Sequence, residues 1–236
     1  MKKLSTYIIL CLFSLHFAYS QEGVITFGLQ YKPILPFKIL NVSDSELEGA
    51  GLAGTISPTL GHNFGAIIRR GFTKNISLEA GLNYNLRNFK VNTTLDDTLD
   101  GELNFGVVTY EIPIQALVYV RLSDQFYMNV ATGFSMNFRA SDIGTFSEDK
   151  NFSALGRIQI LNLAYVANIG FEYRTKKSGY FYLGASLTNP FRPLGLVQVK
   201  SEVEFNSKTA LADLSGNYIS IDLRYFFHEN KQKRAK

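Results

Sequence analysis

SGNYISIDLRYFF, residues 215–227, alternates two kinds of side chain. From Tyr218 the even positions read Tyr218, Ser220, Asp222, Arg224 and Phe226, and the odd positions read Ile219, Ile221, Leu223, Tyr225 and Phe227. A period of two is strand periodicity. In a soluble sheet the apolar row would line a protein core and the polar row would meet water. The class of the protein turns on which row of this strand is inside.

The same alternation recurs in segments near 24–33, 57–71, 76–90, 106–121, 126–139, 158–174, 180–189 and 214–227. Each supplies the roughly 9–11 residues that a tilted strand needs to cross a bilayer. The connectors alternate strictly. Those at 73–75, 122–124 and 175–179 are short, and those at 34–56, 91–105, 140–157 and 190–213 are long. Short turns at one end and long loops at the other match an outer-membrane barrel.

Parity within the strands gives one continuously apolar row in each. Ile76, Leu78, Ala80, Leu82, Tyr84 and Leu86 oppose Ser77, Glu79, Gly81, Asn83, Asn85 and Arg87. Phe126 to Phe138 and Leu161 to Tyr173 repeat the pattern. So many Phe, Leu and Tyr side chains exceed what an eight-stranded interior holds. The polar row, with Gly28, Gly61, Gly65, Gly81, Gly133, Gly170 and Gly184 in it, fits a narrow lumen better. The apolar row therefore faces lipid, and Asp222 and Arg224 point inward. Unpaired backbone groups are not tolerated in hydrocarbon, so the sheet must close. The expectation is an all-β, closed, antiparallel eight-stranded transmembrane barrel with short periplasmic turns and long extracellular loops.

The ends and the composition narrow the function. MKKLSTYIILCLFSLHFAYS, residues 1–20, has two lysines, an apolar run and small residues before Gln21, which is the layout of a secretory signal peptide. The domain reading is a signal at 1–20, a barrel at 21–227 and a basic periplasmic tail at 228–236. Cys11, the one cysteine, leaves with the signal, so disulfides and thiol chemistry are excluded. Removing Lys2 and Lys3 from the 24 basic residues leaves 22 against 20 acidic ones, a net charge of +2. That balance gives no nucleic-acid footprint. No metal or cofactor site is expected, because DDTLDGE (residues 96–102) lacks the spacing of a calcium loop.

Four stretches together resemble the eight-stranded outer-membrane barrels of Gram-negative bacteria, the OmpA/OmpX-like and PorT-like group. They are the signal ending Ser20-Gln21, the opening strand VITFGLQYKPI, the segment YEIPIQALVYV and the last strand ending in Phe227. The resemblance implies an outer-membrane location, outer-membrane lipid as surroundings, and an aromatic-ended last strand read by the barrel-assembly machinery. The tail HENKQKRAK after Phe227 departs from that ending.

Parity places a charged set in the lumen: Glu79, Glu111, Glu172 and Asp222 with Arg69, Arg87, Arg121, Arg174 and Arg224. Pairing Phe72 with Ile76 across the first short turn brings Arg69 opposite Glu79, and Arg87 is expected level with Glu111. Buried charges need partners, so an electrostatic plug is expected. Pro113 cannot donate to a ladder, which predicts a bulge or kink beside Glu111. His62 falls on the lipid row with Phe64, not a serine, two residues later, so no catalytic residue is assigned.

Length points to the outer connectors as the functional part. Loop four carries an apolar row, Val197, Val199, Val203 and Phe205, expected either to meet an unknown extracellular or membrane partner or to pack upon its own hairpin. Ten strands would result if Val197 to Phe205 paired within the membrane zone, but Lys200, Glu202 and Glu204 argue for a hairpin projecting above it. The functional expectation is a non-enzymatic structural, surface-interaction or accessory component, the alternatives being a narrow pore and a lipid-modifying enzyme.

Overall fold

A computed structural model describes residues 24–37, 44–49, 51–73, 75–95, 99–140, 142–147, 152–203 and 206–228. The signal segment 1–20, residues 229–236 of the tail, Lys74, Asp96, Asp97 and Phe205 lie outside the described residues. The strands in chain order are β1 (Ile25–Leu35), β2 (Ser45–Leu47), β3 (Leu52–Pro58), β4 (Gly61–Gly71), β5 (Ile76–Leu95), β6 (Leu99–Arg121), β7 (Phe126–Arg139), β8 (Ile143–Phe146), β9 (Phe152–Ile158), β10 (Leu161–Arg174), β11 (Tyr180–Pro190), β12 (Gly195–Val203), β13 (Asn206–Leu214) and β14 (Tyr218–Phe226).

Eight of them close on themselves in the order β5-β4-β1-β14-β11-β10-β7-β6, with β6 returning to β5 and every pairing antiparallel. The register can be followed once around. It runs Ile25↔Arg70, Arg70↔Leu78, Leu78↔Ala116, Ala116↔Thr132, Thr132↔Ala167, Ala167↔Leu187, Leu187↔Ile219 and Ile219↔Leu35. The path leaves β1 at residue 25 and returns at residue 35, a shear of ten residues. Shear of this kind tilts the strands and fixes the barrel's girth.

The outward row is the apolar one. Phe27, Leu29, Leu82, Val118, Phe134, Ile169, Leu183 and Leu223 are all exposed. Aromatic contacts gather near its two rims. Phe126–Phe171, Phe181–Tyr225 and Phe27–Phe227 lie toward the short turns, and Phe64–Tyr84, Tyr84–Tyr110 and Phe134–Phe191 toward the long connectors. Two such girdles flank the lipid band of outer-membrane barrels.

In their described parts the long connectors continue as strands. Above the barrel, β5 and β6 run on as one ladder to Leu95↔Leu99, β3 pairs with the upper part of β5, and β2 pairs with β3. A second sheet, β13-β12-β9-β8, faces them. One bridge, Glu48↔Leu211, joins the two sheets along one seam. Between them lies an apolar core that includes Leu52, Ile56, Phe89, Val91, Leu103, Phe152, Val197, Val199 and Leu214.

The chemistry of the inward row changes along a single strand without any change of parity. On β5 the inward side chains are Ser77, Glu79, Asn83, Asn85 and Arg87, and then Phe89 and Val91. On β6 they are Tyr119, Leu117, Gln115, Glu111 and Thr109, and then Val107, Phe105 and Leu103. Below the switch the outer row meets lipid and the inner row is mostly polar, with small apolar clusters such as Leu117, Tyr119 and Ala131 in it. Above it the outer row meets water, with Lys90, Asn92, Glu102 and Asn104 on it, and the inner row is apolar. The membrane surface on these strands therefore lies near residues 87–89 and 107–109.

Pro113 makes no bulge. The pairs Ala80↔Ile114 and Asn83↔Glu111 flank it in unbroken register, and Pro113 still pairs with Ser135 on β7. The cost of the proline shows in the ladder instead: no pair with β5 is formed at residues 112 and 113, while the register is the same on both sides.

Candidate functional site: a charged lumen beneath an apolar-cored head

Seven charged side chains form one alternating chain across the lumen. Lys32 Nζ lies 3.4 Å from Asp222 Oδ2, and Asp222 Oδ2 accepts from Arg224 Nη2 at 2.6 Å. Arg224 Nη1 reaches Glu79 Oε1 at 2.5 Å, and Glu79 Oε2 accepts from Arg69 Nη2 at 3.0 Å. Arg69 Nη1 lies 2.5 Å from Glu172 Oε2, and Glu172 Oε1 accepts from Arg174 Nε at 2.6 Å. Each of these three carboxylates sits between two cations, which compensates its charge in the buried interior.

Aromatic rings support the cations. Arg69 lies 3.7 Å from the centre of the Phe226 ring, Arg224 lies 4.8 Å from that of Tyr182, and Arg174 lies 4.1 Å from that of Tyr127. Desolvated guanidinium–ring contacts of this kind are worth about 2 kcal/mol. Phe226 can lie flat because Gly28 is beneath it: a Cβ there would fall 2.7 Å from Phe226 Cδ1.

Glu111 and Arg87 do not meet. The β5–β6 ladder sets Glu111 opposite Asn83 and Arg87 opposite Val107. Glu111 Oε2 accepts from Asn63 Nδ2 at 2.8 Å and from Asn83 Nδ2 at 3.2 Å, and Tyr218 OH lies 3.4 Å away. Arg87 instead reaches over the lumen mouth and donates to the carbonyls of Gly216 at 2.8 Å and of Ser215 and Asn217 at 3.3 Å. It ties the start of β14 across the top of the barrel.

Arg121 is not in the lumen. It is the last residue of β6, still paired with Tyr127 of β7, and at that rim position it is exposed and bonds Asp124. Lys32, which the charge reading omitted, is buried in its place, and its parity with Gly28 and Gln30 on β1 was the available signal. Val197 and Val199 are fully buried in the head core, so these two offer no free row to a partner. The physical reason is that β12 is central in its sheet, flanked by β9 and β13, and its apolar side closes on β5 and β6. Val203 ends β12, and Phe205 lies outside the described residues.

His62 is on the outer row as expected, stacked on Tyr31 with Nδ1 2.7 Å from the Tyr31 hydroxyl oxygen. Above the membrane, Lys90 Nζ lies 2.7 Å from Glu102 Oε2, and this hydrogen bond holds the Glu102 carboxyl below its usual range. Among the described residues no group of three or more His, Cys, Asp or Glu side chains is arranged to hold a metal.

A comparison with family models matches residues 25–195 to the outer membrane protein beta-barrel domain. Among solved structures the chain is similar to the outer membrane protein OprG from Pseudomonas aeruginosa, at 14% identity and a TM-score of 0.59, covering 90% of this chain and 99% of that one. It also aligns with the outer membrane protease OmpT from Escherichia coli at 10% identity and a TM-score of 0.43, covering 89% and 100%. A search of curated proteins finds no match. With most of its closed eight-stranded ring inside the matched region, the chain belongs to the outer membrane protein beta-barrel domain family, and its place is the outer membrane.

Proposed function

We propose that the protein is a non-enzymatic outer-membrane component whose barrel is a closed stem and whose head contacts another molecule at the cell surface. The observation behind this reading is the inversion along β5 and β6. The same two strands carry a salt-bridged lumen in the membrane and an apolar core outside it, so the head is built directly on the stem. A channel needs a continuous polar path, whereas here Arg69, Glu79, Arg224 and Asp222 are tied to one another across the lumen and Arg87 holds residues 215–217 over it. The surroundings of His62 favour a structural role, since Tyr31 is bonded to it and Phe64 occupies the position two residues on.

The outer face of the head supplies the contact surface. Leu155, Leu196 and Leu211 are exposed there, and Gln198 pairs with both Leu155 and Leu211 across the sheet. The double substitution Leu196→Glu/Leu211→Glu changes only outward side chains. It is expected to leave an inserted, protease-resistant head and to abolish the surface phenotype of a deletion strain complemented with it. Full complementation by that variant would move the function off this face.

A further inference from the structure

We propose that the wall between β7 and β1 binds one anionic phospholipid of the periplasmic leaflet, with an acyl chain in a cross-strand groove and the head group on Lys176 and Lys177. The groove has a volume of about 720 Å³ on the lipid side of the barrel. Its lower wall is the outward row Phe126, Tyr173, Phe181 and Tyr225, each the register partner of the next, and Leu183 and Leu223 stand in the row above. The floor between the rows is backbone, at Tyr182 and Arg224.

Three features make this more than ordinary barrel surface. First, the groove is pre-formed. Tyr173 OH donates to Gln125 Oε1 at 3.0 Å and Tyr225 OH to the Ser178 carbonyl at 2.7 Å, which pins the lower wall to the short turns. Second, it has a direction. Each row climbs from β7 toward β1, because the register returns to β1 ten residues higher. The low end, at Phe126 beside the turn at 122–125, is closed by the stack of Phe126 on Phe171 of the row above. From there the groove passes beneath the lysine-bearing turn at 175–179 and rises across β10, β11, β14 and β1, about 15 Å at ordinary strand spacing, so an acyl chain whose head group sits on that turn would lie toward β1.

Third, the charge at the mouth is complementary. The turn between Tyr173 and Phe181 carries Lys176 and Lys177, both exposed and in no ion pair among the described residues. The nearest turn acid, Asp124, is already bonded by Arg121. Free lysines at the membrane surface attract anionic head groups. Arg174 on the same strand is turned inward to Glu172 and does not compete.

The test is native mass spectrometry of the detergent-released full barrel equilibrated with phosphatidylglycerol and phosphatidylethanolamine. One phosphatidylglycerol per barrel is expected to be retained in preference to the zwitterionic lipid. Lys176→Ala/Lys177→Ala should lower that preference by roughly fivefold per lysine. Leu223→Trp should fill the groove and empty it of both lipids, with Leu183→Phe as the substitute should the Trp variant fail to fold. Leu82→Trp, on β5 at the far side of the ring, should change neither. Equal retention of the two lipids by the unaltered protein, or occupancy that survives the filled groove, would overturn the proposal. So would disulfide-linked dimers of Leu183→Cys, which would give the groove to a second copy of the chain.

Discussion

Arg69 and Glu79 face each other across the first short turn, with Arg69 Nη2 3.0 Å and Nε 3.1 Å from one carboxylate oxygen, Glu79 Oε2. The pair is not isolated. Arg224 holds the other Glu79 oxygen at 2.5 Å, and Glu172 holds the other end of Arg69 at 2.5 Å.

Arg69→Glu is therefore expected to destabilise the barrel by about 3–5 kcal/mol, the range for breaking a buried pair. Adding Glu79→Arg should recover part of this and not all. The exchanged arginine would face Arg224, and the exchanged glutamate would face Glu172. Urea midpoints read from heat-modifiable migration would measure it, and a double variant no better than the sum of the single ones would refute the register.

The head should be separable from the stem in stability. Phe152 is fully buried in the head core, with its ring against Gly101. Phe152→Ala is expected to weaken the head by about 3–5 kcal/mol. Limited proteolysis should then cut between residues 140 and 214 while the barrel still migrates as a folded species. Loss of barrel migration at the same denaturant concentration would mean that the two cores unfold as one.

Arg87 should act as a clasp. Arg87→Met keeps the length of the side chain and removes its bonds to the carbonyls of residues 215–217. Faster hydrogen exchange at Gly216 and Asn217 is expected, with exchange in the Arg69–Glu79 layer unchanged. An unchanged rate at 216–217 would show that the head core alone holds this segment.

Gly28→Val should disturb the lumen without touching a charge. The new side chain would push the Phe226 ring out from under Arg69. A loss of about 2 kcal/mol is expected from the ring contact alone. Phe226→Leu in the same background should relieve part of the strain, and an additive double variant would rule out the stacked arrangement.

The membrane part was legible in the sequence because lipid and lumen impose opposite chemistry on alternate residues. The three-residue turn at 73–75 also fixes the Arg69–Glu79 register by itself. Arg87 and Glu111 both face inward as their parity predicts, but they are not level with each other, for the converse reason. Their strands meet through a long connector, and nothing local says that the connector is itself a ladder closing at Leu95↔Leu99. The head escaped notice because parity identifies two faces but not what each face touches. Arg87 and Val91 stand on the same row of β5, yet one closes a polar lumen and the other fills an apolar core. Lys32 was hidden by its position one residue before Pro33, at the end of the first alternating segment.

The central claim is that the barrel is a closed stem, sealed by the chain from Lys32 to Arg174. Planar-bilayer recording of the purified full-length protein tests this most directly. No unitary conductance is expected from the unaltered barrel, and Glu79→Ala/Arg69→Ala, which removes the middle of the chain, is expected to introduce small, noisy openings. Stable conductance steps in the unaltered protein, with an ion selectivity that reverses in Glu79→Arg, would contradict the account and make the charged lumen a pore.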